Sequence, residues 1–218
     1  MPIGAGDTLT PRPRRTVGVL ALQGAFDVHR RHLEQIGATA PLVRSPDDLD
    51  GLDAIVLPGG ESTTMEHLLT TSGLFEVLAA RLHEGLPVFG TCAGMILCAS
   101  EVIGARPDHR NFGMIDLTVR RNGYGRQLES FEADLAVVGL TEPVHAVFIR
   151  APLVERVGSG VEVRARCDGV PVLLRSGTCT VASFHPELTD DVRIHQVFLD
   201  SLHASADTAI ATSHQVSN

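Results

Sequence analysis

Pro87-Val88-Phe89-Gly90-Thr91-Cys92-Ala93-Gly94-Met95-Ile96-Leu97-Cys98-Ala99 decides how this chain reads. Pro87 to Phe89 is an apolar strand. Gly90 to Gly94 is a sharp turn with a cysteine at its apex, and Met95 to Ala99 continues as a helix. This is the layout of a nucleophile elbow, with Cys where G-x-S-x-G carries Ser. The turn is strained and neighbouring backbone must come close, so a side chain at Gly90 or Gly94 would block one or the other. The helix turns its positive end toward the sulfur, which eases ionisation of the thiol near neutral pH.

Upstream of the elbow, strands alternate with helices. Thr16 to Leu22 is a near-continuous apolar run, suited to a strand buried on both faces. Phe26 to Ile36 reads as a helix stopped by Gly37. Ala40 to Val43 and Asp53 to Leu57 are two more strands, the latter ending in Pro58-Gly59-Gly60. Thr63 to Leu69 and Leu74 to Glu84 are helical. Such β-α-β alternation predicts an α/β fold: a mostly parallel central sheet with helices on both faces, three layers in all.

Downstream the pattern changes. Leu117 to Val119, Phe131 to Val138, Ala146 to Ile149, Val161 to Arg166, Val170 to Arg175 and Thr180 to Phe184 are strand candidates. Their short glycine turns make several of them antiparallel additions to the sheet. Asp191 to His203 is a closing helix. The expected organisation is a flexible N-terminal tail over 1–15, a single domain over 16–204 and a disordered C-terminal tail over 205–218.

Composition narrows the function classes. The net charge is −8 and the basic residues form no stripe, which argues against nucleic acid as a partner. No apolar stretch approaches the roughly 20 residues that span a bilayer. Met1 to Arg15 carries Arg12, Arg14 and Arg15 among prolines and lacks the apolar centre of a secretory signal. The four cysteines, Cys92, Cys98, Cys167 and Cys179, form no C-x-x-C pair. Neither a disulfide framework nor a metal site is expected, and a reducing cytoplasm is the expected location. Cys98, Cys167 and Cys179 read as small buried hydrophobes.

A cysteine nucleophile needs a base, and the base benefits from an orienting carboxylate. Ser183-Phe184-His185-Pro186-Glu187 offers both at the end of a strand, where α/β active sites collect. Pro186 fixes the backbone so that Glu187 can turn back toward His185. Gly59 and Gly60 leave backbone N–H groups unshielded to stabilise an oxyanion, and Ala93 follows the nucleophile, where an elbow supplies another such donor. Glu61 is placed to accept a substrate ammonium. Bland readings stand beside these: Gly59-Gly60 as a plain turn, Glu61 as a helix-start acid, Arg121 and Arg150 as surface charges. His29, His32, His67, His83, His109, His145, His195, His203 and His214 read as surface or structural, and Gln23 is given no role.

The elbow, the Pro58-Gly59-Gly60-Glu61 loop and His185-Pro186-Glu187 resemble the class I, or triad, glutamine amidotransferases. Leu22-Gln23-Gly24, Gly59 to Met65, Asn122-Gly123-Tyr124-Gly125-Arg126-Gln127, Ser130-Phe131-Glu132, Phe148-Ile149-Arg150-Ala151-Pro152 and Ser183 to Leu188 narrow the resemblance to the glutaminase subunits of pyridoxal 5′-phosphate synthase. It runs from about Val17 to His203. It implies the class I glutaminase fold and hydrolysis of L-glutamine through a Cys92 thioester, with His185 as proton carrier and Glu187 orienting it. It implies Gly60, Glu61, Ser62, Arg121, Ile149 and Arg150 as the L-glutamine pocket, with Arg120 and Arg121 not separable. No cofactor and no metal are implied. The implied partner is a (β/α)₈-barrel synthase subunit, in a large hetero-oligomer, that receives the ammonia.

The stretch before Val17 and the loop Arg106 to Asn111 are longer than this family needs. Three rivals stand beside this reading: a glutaminase serving imidazole glycerol phosphate or purine synthesis, another cysteine enzyme on a related sheet, and a non-catalytic assembly module with the same fold. Other cysteine enzymes of this kind place a histidine close behind the elbow, and Cys92-Ala93 lacks one.

Overall fold

The computed structural model describes residues 14–123 and 130–202. The chain begins β1 (Val17–Leu20), α1 (Phe26–Gln35), β2 (Leu42–Val43), β3 (Ala54–Leu57), α2 (Ser62–Thr71), α3 (Leu74–His83), β4 (Val88–Thr91) and α4 (Ala93–Cys98). Then follow β5 (Ala99–Ile103), β6 (Ile115–Arg120), β7 (Ser130–Leu135), β8 (Val144–Ile149), β9 (Leu153–Val157), β10 (Glu162–Cys167), β11 (Val170–Ser176) and β12 (Cys179–Ala182). A closing helix, α5, covers 193–202.

The central sheet has seven strands in the order β10-β11-β12-β4-β3-β1-β2. From β12 to β2 all pairings are parallel, and β11 and β10 extend that edge antiparallel. The apolar runs are continuous because each strand feeds a core on either face. In β3, Ile55 and Leu57 join Met65, Leu69, Leu78 and Met95 on the α2–α4 side. Ala54 and Val56 join Leu33, Phe89, Ile194 and Phe198 on the α1–α5 side. Alternation with period two thus divides one strand between two cores.

The second half departs from expectation in three places. Helix α4 stops at Cys98, and Ala99 starts β5, which pairs in parallel with β6. Strands β5 and β9 were not anticipated, because β5 is half-exposed and β9 is broken by Glu155 and Arg156. Of the later strands only β10, β11 and β12 enter the central sheet; β5-β6-β9 and β7-β8 form sheets of their own. The β7–β8 hairpin presses Phe148 against Phe131, with stacked rings 4.4 Å apart, and against Phe184.

Arg14 and Arg15, read with the N-terminal tail, are tied to the body. Arg14 Nη2 donates to Ala38 O at 3.2 Å, and Arg15 pairs with Asp53 at 3.1 Å and reaches Leu202 O. The remainder of that tail, the 205–218 tail, His203, His214 and Tyr124 to Gln127 lie outside the described residues. Among the described residues no helix is long and apolar enough to cross a membrane.

Candidate active site

Cys92 caps the N-terminus of α4 at φ 48° and ψ −100°. A non-glycine residue held there is strained, as an elbow nucleophile is. The flanking glycines are required by contact. A Cβ on Gly90 would stand 2.6 Å from Gly94 O, and one on Gly94 would stand 2.1 Å from Leu57 O on the adjoining strand. Helix α4 has only six residues, so the field it adds at the sulfur is smaller than a full-length helix would give. The Cys92 Sγ–H points toward Ile149 O at 3.9 Å, which sets the sulfur beside the β8 end.

Strand β12 lies directly against β4, with Ala182 opposite Thr91, and so delivers the following residues next to the elbow. His185 is anchored through its amide to Val147 O at 2.8 Å. Its ring Nδ1 lies 2.8 Å from Glu187 Oε1, and Glu187 sits fully buried on the short turn Pro186–Leu188. Burial works against a charge on His185, but its hydrogen bonds to Cys92 and Glu187 outweigh it and hold the imidazole at about 10. Burial likewise opposes the Glu187 anion, and His29 and His185 on its two sides outweigh it, holding the carboxyl below its usual range.

Gly59 closes the space between these side chains: a Cβ there would lie 2.3 Å from His185 Cε1 and 3.4 Å from Cys92 Cβ. Its carbonyl packs on Gly24, where a Cβ would come within 1.9 Å of Gly59 O. A peptide's N–H points opposite its C=O, so the Gly60 N–H faces away from Gly24. Ala93 opens α4, and its amide is one of those with no acceptor inside the helix.

Glu61 is the cap of α2. Its carboxylate accepts from Thr63 N at 3.1 Å, from Thr64 N at 2.6 Å and from Arg121 Nη2 at 2.7 Å. Burial opposes this charge, but the bonds from Thr64 and Thr63 lower the carboxyl to about 2. The helix-start role is therefore real, and the carboxylate also holds an arginine. Arg121 is the one that faces inward, since Arg120 turns away to pair with Glu155.

These groups surround a cleft of about 330 Å³, a volume suited to a small metabolite. Gly59, Gly60, Glu61 and Ser62 reach it from the end of β3 and Cys92 from the end of β4. Arg121 comes from just beyond β6, Ile149 and Arg150 from the end of β8 and the residue after it, and His185 and Glu187 from beyond β12. Ala93 alone of the anticipated residues does not line it, being buried beneath.

Gly24, Ala25 and Asn122 also line the cleft and had not been anticipated. Gly24 follows the first parallel strand at the same sheet edge, which is the signal that marks it. Gln23 does contribute: its Nε2 donates to Glu61 O at 2.5 Å. Three of the histidines read as surface or structural, His29, His32 and His195, are buried.

The chain is 54% identical to the pyridoxal 5′-phosphate synthase subunit PdxT of Mycobacteroides abscessus over 188 residues, covering 86% of this chain and 97% of that one. It is 53% identical to the subunit of the same name from Frankia casuarinae over 190 residues, covering 87% and 96%. A crystal structure described as a glutamine amidotransferase superposes with a TM-score of 0.81 at 48% identity, covering 86% of this chain and 98% of that one. The model of the SNO glutamine amidotransferase family matches residues 19–204. By that match and those identities, this chain belongs to the SNO glutamine amidotransferase family.

Proposed function

We propose that this chain hydrolyses L-glutamine to L-glutamate and ammonia as the glutaminase subunit of a cytoplasmic pyridoxal 5′-phosphate synthase. The observation that carries the reading is the sulfur on a strained elbow beside His185, whose other side is held by Glu187 at 2.8 Å. The names of relatives more than 50% identical support the pathway.

In this reading Cys92 attacks the side-chain carbonyl of glutamine as a thiolate. With Nδ1 committed to Glu187, Nε2 of His185 is the nitrogen that faces the reacting groups. The tetrahedral oxyanion takes N–H donors from among Gly59, Gly60 and Ala93, each worth about 3–4 kcal/mol in well-formed sites. Collapse breaks the C–N bond, and the proton on His185 leaves with ammonia. His185 then removes a proton from water, which cleaves the γ-glutamyl thioester to glutamate and returns the thiol.

Arg121 supplies a planar fork for the α-carboxylate of glutamine, and Glu61 fixes that fork in place. Gly60, Ser62, Ile149 and Arg150 complete the pocket. Ammonia in neutral water is mostly protonated, so its use requires direct transfer. The recipient is a (β/α)₈-barrel synthase subunit within a hetero-oligomer.

Glutamate formation from glutamine, measured with and without that synthase subunit, tests the reading. Glutamate release should rise on adding the pyridoxal phosphate synthase barrel and not on adding a synthase of imidazole glycerol phosphate or purine synthesis. Stimulation by one of those others instead would overturn the pathway, and no glutamate under any condition would overturn the activity.

A further inference from the structure

Behind the cleft lies a second set of titratable groups with no part in the chemistry above. His29 on α1 and His195 on α5 are both wholly inaccessible to solvent. His29 Nδ1 lies 2.8 Å from His195 Nε2. His29 Nε2 lies 3.3 Å from Glu187 Oε2 and 3.3 Å from Thr91 Oγ1. His32 and Phe89 pack edge-on against the His195 ring.

Glu187 uses only one oxygen on His185. The other, Oε2, makes no hydrogen bond of ordinary geometry among the described residues, and its side chain is fully buried. A buried carboxylate oxygen left without a donor costs several kcal/mol. The side-chain N–H that faces it is on His29, and the backbone N–H of Glu187 also turns toward its own carboxylate. At 3.3 Å the His29 contact is within reach but poorly aligned, as catalytic hydrogen bonds often are before substrate arrives.

The proton positions follow from the chain of contacts. Burial pushes His29 down to about 4, so at neutral pH the ring is uncharged and carries one N–H. His195 is likewise pushed well below its usual value by burial and stays neutral. A carboxylate only accepts, so the His29 proton belongs on Nε2, facing Oε2. Nδ1 is then an acceptor and takes the Nε2–H of His195. In the opposite tautomer Nε2 would accept from Thr91 Oγ1 at 3.3 Å but set its lone pair against the carboxylate. At neutral pH, where His29 is uncharged, what it offers Glu187 is therefore a hydrogen bond; its charge acts on the carboxylate only in acid.

We propose that His29, fixed in its tautomer by His195, is a positioning residue: it donates Nε2–H to Glu187 Oε2 and so keeps Oε1 turned to His185. The row of groups runs Cys92, His185, Glu187, His29, His195, from the cleft to the α1–α5 core. This assignment rests on the glutaminase reading of the first three.

The test is glutamate release with the synthase subunit present, for the parent, His29→Phe, His29→Gln and Cys92→Ala. His29→Phe keeps the bulk and loses the donor. It should lower kcat by about 10- to 100-fold with KM within about twofold, and His29→Gln, which restores an N–H, should recover most of the loss. In a Glu187→Gln background His29→Phe should cost nothing more, because its effect passes through that carboxylate.

A folded His29→Phe variant with kcat within about twofold of the parent would overturn the proposal, as would an equal loss in the Glu187→Gln background. Should His29→Phe fail to fold, ¹⁵N NMR of the imidazoles in the unaltered chain decides. A neutral His29 protonated on Nε2 supports the assignment, and protonation on Nδ1 refutes it. An active Cys92→Ala variant would instead sink the glutaminase reading, whatever the His29 variants do.

Discussion

Arg121 Nη2 and Glu61 Oε1 meet at 2.7 Å, joining the end of β6 to the cap of α2 at the cleft. The pair holds a guanidinium over the site while α2 is being capped. Arg121→Ala should raise KM for glutamine with a smaller change in kcat, because it removes binding common to ground and transition states. Arg120→Ala, which removes only a surface pair with Glu155, should leave both within about twofold. Steady-state glutamate formation separates the two; equal effects would reverse the assignment.

A glutamine-like chloroketone or diazo-ketone should label Cys92 before any other cysteine. Cys98 and Cys179 are buried against one another, and hydrogen bonding to Cys179 together with burial pushes the Cys98 thiol well up. Burial also raises Cys167, which lies outside the cleft. Peptide mapping reads the order, and first labelling at Cys98 or Cys179 would contradict the elbow assignment. Cys92→Ala should abolish glutamine hydrolysis and retain the fold, since that side chain does chemistry rather than fill a core.

Acid should weaken this fold from pH 6.5 downward. His29 titrates at about 4 in the folded chain and near 6.5 when unfolded, through burial. Between those values the unfolded chain holds a proton that the folded one refuses, so stability falls as pH drops. At 1.36 kcal/mol per pH unit the gap is worth about 3 kcal/mol, and His195 acts in the same direction. The groups facing His29 are Glu187, His185, His32 and His195. His185 carries the opposite sign: raised to about 10, it stabilises fully below 6.5 and loses that as pH rises through 10. Urea unfolding at graded pH should show both limbs, and His29→Gln should flatten the acid one.

Two glycine substitutions should separate folding from chemistry. Gly94→Ala forces a methyl against the Leu57 carbonyl at 2.1 Å, a backbone contact with nothing to yield, and should cost at least about 1–3 kcal/mol of stability. Gly59→Ala meets the His185 ring at 2.3 Å. It should displace the imidazole and cut kcat by about 100-fold or more, with a smaller change in the unfolding midpoint. Calorimetry and kinetics on the two variants check the contrast.

Strands β1, β3 and β4 were legible because they are continuous apolar runs that lead into glycine turns. Strands β5 and β9 were not, because both are partly exposed and pair with segments far along the chain. Cys92, His185 and Glu187 stood out through local signatures, the elbow and the strand-end His-Pro-Glu. His29 and His195 did not stand out, because histidine is common on surfaces. Their signal was nonetheless present: His29 falls on the stripe Phe26, Leu33, Ile36, and His195 beside Ile194 on the face of Phe198 and Leu202. A histidine inside an apolar helical stripe is buried with a partner or costs the fold. The choice between Arg120 and Arg121 was closed to sequence because adjacent residues at a strand end point opposite ways.

The place of β12 in the middle of the sheet also bears on how the polypeptide is made. Its slot beside β4 cannot be filled before residues 179–182 have been made, long after Cys92. A fragment that stops short of β12 therefore lacks a central strand of the sheet and His185 together.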